Sequence, residues 1–214
     1  VWSIKIKDIK KLKELGYDKG LNEITNKLPE NTEICKYILK MLNNENVKIE
    51  ESESNQASLY IVLSNSIIIA NIKNTFTRVQ TVAHECLHSI QNKRTLLFNF
   101  IFSNIYFIYF IAICILAILK INPLPNTALF ALAICSFINY IIRSYLEMDA
   151  MINAKPLAEQ YLKREGTLTE KEQETILNNY DEINNIGIKL YNYTLITKNL
   201  IKIIIYSIIC IIFI

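Results

Sequence analysis

The chain has 214 residues, 51% of them hydrophobic, and a formal net charge of +3. That length accommodates one folded domain plus membrane segments. Its positive charge comes from scattered lysines with no basic stripe, which excludes nucleic acid as the expected partner. The five cysteines show no C-x-x-C spacing, which excludes a disulfide framework and a cysteine zinc site.

The chain opens on Val1, and its Lys-rich start lacks the apolar stretch of a signal peptide. Residues 8–15 predict a short amphipathic helix, with Ile9, Leu12 and Leu15 on one face and Gly16 as its stop. Asn31 is the expected cap of a second helix, in which Ile34, Tyr37, Ile38, Met41 and Leu42 form a core stripe. Residues 47–50 predict a strand and 51–56 a solvated loop. The β-branched runs 58–63 and 66–72, split by Ser64-Asn65, predict a hairpin. The second run is either a buried strand or a sheet edge on which an extended peptide docks through its backbone.

Next comes Thr81-Val82-Ala83-His84-Glu85-Cys86-Leu87-His88-Ser89-Ile90-Gln91, which contains His-Glu-x-x-His and both histidines of the chain. Phe76, Val79, Val82, Ala83, Cys86, Leu87 and Ile90 recur at helical steps and mark a buried face. Asn74 or Thr75 is the expected cap, and 91–94 the polar end. On such a helix His84 and His88 project from one face and suit one zinc ion. Glu85 sits beside them, placed to take a proton from water that the metal activates.

Residues 95–119 carry no charge, and about 20 residues suffice to cross a hydrocarbon core. Residues 121–142 form a second such run, with Pro123 and Pro125 in the tight connection 120–126. Two spans make a hairpin, so Arg94 and Arg143 emerge on one side and the chain returns to the face where the His helix lies. Zinc needs a third protein ligand, and a carboxylate serves where no third His exists. Glu147 is the best candidate and Asp149 its competitor. The small Ala150, Ala154 and Ala158 allow close packing of that helix.

Residues 156–165 predict a helix ending at Gly166. Thr169 and Glu172 form a capping box for another, with Ile176, Leu177, Tyr180 and Ile183 on its apolar side. Residues 200–214 are apolar except for Lys202, and are either a third span or a helix lying in the interface, with Lys198 and Lys202 snorkelling. Lys93, Arg94, Arg143 and Lys155 flank the metal side and Lys120 alone marks the far loop, so the metal is expected to face the cytosol.

These residues resemble the neutral zinc metallopeptidases of bacterial membranes, the YugP-type proteins, over residues 34–158. The similarity is carried by Val82-Ala83-His84-Glu85 with His88 and Ile90-Gln91, two spans, then Glu147-x-x-Ala150-x-x-x-Ala154. More distantly the layout is similar to the HtpX-like Glu-zincins. The resemblance implies His84, His88 and Glu147 as zinc ligands and Glu85 as the catalytic residue. Many Glu-zincins carry an Asp four residues after the ligand Glu to orient a His. Met151 stands there, so Asp149, Asn153 or a backbone carbonyl has to serve.

The expected fold is α+β, mostly α: a zincin-like core with a small β-hairpin, a transmembrane helical hairpin and a C-terminal membrane helix. The expected division is 1–94, 95–142, 143–198 and 199–214. The expected function is a zinc-dependent endopeptidase anchored in the bacterial cytoplasmic membrane, acting on a peptide or protein substrate at the cytoplasmic face of the lipid bilayer. Tyr145, Tyr161 or Arg143 is the expected oxyanion donor. The alternative is a non-catalytic zinc-binding pseudoprotease or interaction scaffold.

Overall fold

The computed structural model describes residues 4–55, 57–121 and 123–213. Gln56, at the end of the expected loop, and Ile214, the last residue of the expected C-terminal helix, lie outside them, as does Asn122 in the expected connection. The chain is mostly helical with one small sheet. It divides into two compact units: one built from Val1–Lys93 and Glu147–Leu190, the other from Arg94–Leu146 and Tyr191–Ile214.

The first unit opens with helices α1 (Ile6–Gly16), α2 (Lys19–Thr25) and α3 (Asn31–Met41). Helix α2 was not expected from the sequence. Asp18 starts it by accepting the Leu21 amide at 3.0 Å. Asn31 does not cap α3: Glu30 precedes the helix without a side-chain cap bond. The Asn31 side chain is buried instead, accepting from Arg78 Nε at 2.8 Å. Strands β1 (Lys48–Ser52), β2 (Leu59–Ile61) and β3 (Ser66–Ala70) follow. Thus Glu51 and Ser52, expected in a loop, extend a strand.

The hairpin forms as expected, β2 antiparallel to β3. Asn65 at its turn takes φ 49°, a region that asparagine tolerates better than most residues. Its side chain accepts from the Tyr60 hydroxyl at 2.8 Å. Strand β1 pairs parallel to β3, giving the order β1-β3-β2. This places β3 in the centre with most of its residues buried, and overturns its reading as a docking edge. The edge nearer the His helix is β2.

Helix α4 (Arg78–Ile90) packs on α3 and against β2 and β3. Val79, Val82, Ala83 and Cys86 are fully buried, and Phe76 is buried in the lead-in, but Ile90 is 48% exposed. Neither Asn74 nor Thr75 caps α4, because the helix begins later, after Thr77. The Thr75 hydroxyl donates instead to the Ile72 carbonyl at 2.8 Å. Both ends of α4 are fixed by side-chain contacts. Arg78, fully buried, donates to Asn31 Oδ1 and to the Thr25 and Pro29 carbonyls, so its charge is held by oxygen dipoles. Phe76 stacks on Tyr180, whose hydroxyl donates to the Phe76 carbonyl at 2.9 Å. At the far end, Asn44 Nδ2 donates to Ser89 Oγ at 2.8 Å.

Three helices are long and apolar enough to cross a membrane: α5 (Lys93–Ile118), α6 (Pro125–Glu165) and α7 (Glu170–Phe213). Pro125 opens α6, where its missing amide is no loss. Pro156 does not start a helix, as expected from sequence, but lies inside α6. Gly166, at φ 78°, ends it. The Thr169–Glu172 capping box starts α7, which then runs unbroken, so no separate helix begins near residue 199.

In the second unit, α5, the first part of α6 and the last part of α7 share a core of Tyr106, Phe110, Ile113, Cys114, Ala117, Leu132 and Tyr206. Polar side chains bond within it. Tyr106 Oη lies 2.7 Å from Ser136 Oγ, Asn139 donates to Ser103 Oγ at 2.9 Å, and Asn199 donates to the Ser136 carbonyl at 3.1 Å. Ser144 donates to Asn192 at 2.6 Å, and Lys202 Nζ sits 4.1 Å above the Tyr106 ring.

Candidate metal centre

His84 and His88 stand one turn apart on α4, and their ε nitrogens approach to 3.0 Å. Glu147, on α6, brings Oε2 to 3.4 Å from His84 Nε2 and 3.8 Å from His88 Nε2. Two donors at about 2.0–2.1 Å on a tetrahedral zinc lie about 3.3–3.4 Å apart. The three observed separations bracket that spacing. The two imidazoles meet edge to face, with centroids 4.6 Å apart. Converging nitrogen lone pairs and a carboxylate oxygen repel one another unless a proton or a cation sits among them. These three residues form a group that could hold a metal ion.

The chain builds this group by two local devices. The i, i+4 spacing of a helix aligns the histidines. Small residues one and two turns beyond Glu147, Ala150 and Ala154, are fully or almost fully buried, and Ala154 and Ala158 lie in the same core as Val79, Val82 and Ala83.

Glu85 is buried at 6% exposure. Burial pushes its carboxyl above the usual range, against the pull of His84 and His88 and with Glu147 adding to the rise. The Tyr60 backbone, on edge strand β2, works weakly to lower it. Glu147 goes the other way. Burial works to raise it, but the closeness of His84 and His88 holds it well below the usual carboxylate range. Burial works to lower His88, and contact with Glu147 and Gln91 more than offsets this, so His88 lies above its ordinary value.

Asp149 is not in the donor group. Its Oδ2 accepts from Gln91 Nε2 at 2.8 Å, and Gln91 Oε1 lies 2.8 Å from His88 Nδ1. Asn153 Nδ2 donates to Asp149 Oδ1 at 3.2 Å. Asp149 and Asn153, the residues expected to orient a His, thus reach His88 only by way of Gln91. In the sequence Gln91 reads as part of a polar helix end and of the motif that carries the resemblance, with no role assigned to it, although its spacing of three from His88 is a usable signal. Met151 instead lines a cleft of about 250 Å³ beside His84, with Thr77, Gln80, Thr81, Ile183 and Gly187.

Tyr161 is excluded as an oxyanion donor. It is 1% exposed, packs edge-on against Tyr37, and lies fourteen residues beyond Glu147 on α6, about 21 Å at 1.5 Å per residue. Tyr145 is exposed, and Arg143 Nε donates to the Tyr191 hydroxyl at 3.1 Å.

Comparison with protein-family models, curated proteins and solved structures returns no match for this chain.

Proposed function

We propose that the protein is a membrane-anchored zinc metallopeptidase with a zincin-like core, of the kind its motif resembles. The supporting observation is the convergence of His84, His88 and Glu147 on one point, with the buried carboxyl of Glu85 next to His84 on the same helix. The donor set of two imidazoles and one carboxylate suits zinc and leaves a fourth position open. Bound there, zinc would supply Lewis-acid chemistry, polarising a carbonyl and acidifying water.

The chain's own residues supply the rest. Glu85 has a raised proton affinity and a dry surrounding, which suit a group that takes a proton from the attacking water and returns it to the departing amine. Glu147, held ionised by the histidines, suits a ligand. Edge strand β2, packed against α4, is the surface on which an extended peptide pairs. The lysine and arginine bias near the spans directs this site to the cytoplasmic face.

Glu85→Gln keeps shape and removes the base. The expected result is retained zinc and peptide cleavage reduced by about 10²–10⁴-fold. Retained cleavage refutes the mechanism. Met151, standing where Glu-zincins carry an orienting Asp, favours a second reading, a non-catalytic zinc protein or scaffold. That reading requires no cleavage by the parent chain and an unchanged cellular phenotype in the Glu85→Gln chain.

A further inference from the structure

The hydrogen-bond chain behind His88 has a direction that its chemistry dictates. An aspartate carboxylate only accepts hydrogen bonds. Asp149 Oδ2, 2.8 Å from Gln91, therefore requires the amide nitrogen on its side. The Gln91 amide is planar, so its oxygen faces the opposite way, 2.8 Å from His88 Nδ1. That oxygen also only accepts, so Nδ1 carries the proton. In the neutral imidazole that metal binding requires, Nε2 is then left with a lone pair, and it points to His84 Nε2 and Glu147 Oε2. Asn153 steadies the acid end, donating both to the Asp149 carboxylate and to its carbonyl.

The fold supplies each member for a reason. Gln91 is the first residue past α4, in extended conformation at φ −63° and ψ 162°, and its side chain reaches back to His88 one turn earlier. Asp149 is two residues beyond Glu147 on α6. One helix thus reaches the site twice, directly through Glu147 and indirectly through Asp149, Gln91 and His88. The apolar Met151 has no atom able to do this.

We infer that Gln91 is the positioning residue of His88 and that Asp149, acting through the Gln91 amide, sets its direction. The inference rests on the reading of His84, His88 and Glu147 as a zinc site. Outer partners of metal-bound histidines are worth about 10–100-fold in metal affinity. Gln91→Ala in the full-length chain in detergent is expected to weaken zinc by that factor, measured by chelator competition. Asp149→Ala is expected to weaken it less. Gln91→Glu restores an acceptor for the Nδ1 proton and needs no partner to orient it. Its second oxygen faces the Asp149 carboxylate and is repelled by it, so adding Asp149→Ala to it is expected to bring binding back towards the parent rather than to cost anything further. Because the chain has two histidines, its imidazole ¹⁵N spectrum is simple. The His88 Nδ1 proton of the zinc-loaded chain is expected to exchange faster in Gln91→Ala than in the parent.

Zinc affinity of Gln91→Ala within about twofold of the parent, or losses from Gln91→Ala and Asp149→Ala that simply add, overturns the inference alone. A parent chain that takes up no zinc, or that keeps it in His84→Ala and His88→Ala, overturns the metal site and the inference together.

Discussion

Glu85 and Glu147 are two carboxyls at one site whose surroundings drive their proton affinities apart. Such separation is how a protein gives two acids different tasks. Glu147 stays charged in contact with two imidazoles, while Glu85, kept from water, is raised. His88 introduces a pH dependence. Only a neutral imidazole binds a metal, and the affinity of His88 for its proton lies above the ordinary 6.5. Protons therefore compete with the metal already above that pH. Zinc affinity is expected to fall as pH drops, by about tenfold per unit where one proton is displaced, and to recover as pH rises. A chelator competition series across about pH 6 to 8 checks this; a flat profile contradicts it. The donor group was legible in the sequence because helical spacing is local and the hairpin returns the chain to it. The Gln91 link was not, because whether an amide beyond a helix end turns back or faces water depends on what lies opposite, here Asp149.

At the scale of elements, periodicity located the helices and missed their joints. Asn31 illustrates why: its amide can cap a helix or satisfy a buried group, and Arg78, needing oxygen partners in the core, takes it. The parallel pairing of β1 with β3 rests on contacts remote in sequence, which alternation does not reveal, so the centre and edge of the sheet were unreadable. Pro156 reads as a helix start, yet α6 runs through it, because Ala154, Leu157 and Ala158 are buried on one face and hold both halves in one core. Proline at an exposed interior position withholds an amide from the Ile152 carbonyl. Pro156→Ala is expected to raise stability by about 1–3 kcal/mol with zinc binding unchanged, read from the thermal midpoint. Loss of stability instead shows that the first unit is built around the break.

At the scale of the whole molecule, the first unit is interrupted in sequence by the second. The histidines precede the interruption and Glu147 follows it, so the site exists only if residues 94–146 leave and return on the same side. Cysteines introduced at Asn92 and at Leu124, in a chain whose five native cysteines are replaced, test this with a membrane-impermeant thiol reagent on intact cells. Label is expected at Leu124 and not at Asn92. Equal labelling refutes the hairpin and the metal site that depends on it. Cysteine replacement itself carries little chemical consequence at Cys35 and Cys86. Cys35 and Cys86 sulfurs lie 3.6 Å apart, and burial holds the Cys86 thiol well above its usual range, far from the reactive thiolate form.

The side-chain bonds among the apolar helices lie at three levels along α6: Tyr106 and Asn199 both meet Ser136, Asn139 meets Ser103, and Ser144 meets Asn192. Apolar surfaces alone let neighbouring helices slide in hydrocarbon, where leucine meets lipid as readily as leucine. Bonds at several heights oppose that freedom, since an axial slip of any one helix breaks every bond it makes with its neighbours. A bilayer too thin or too thick for this bundle then meets a block that leans as one piece, its members keeping step.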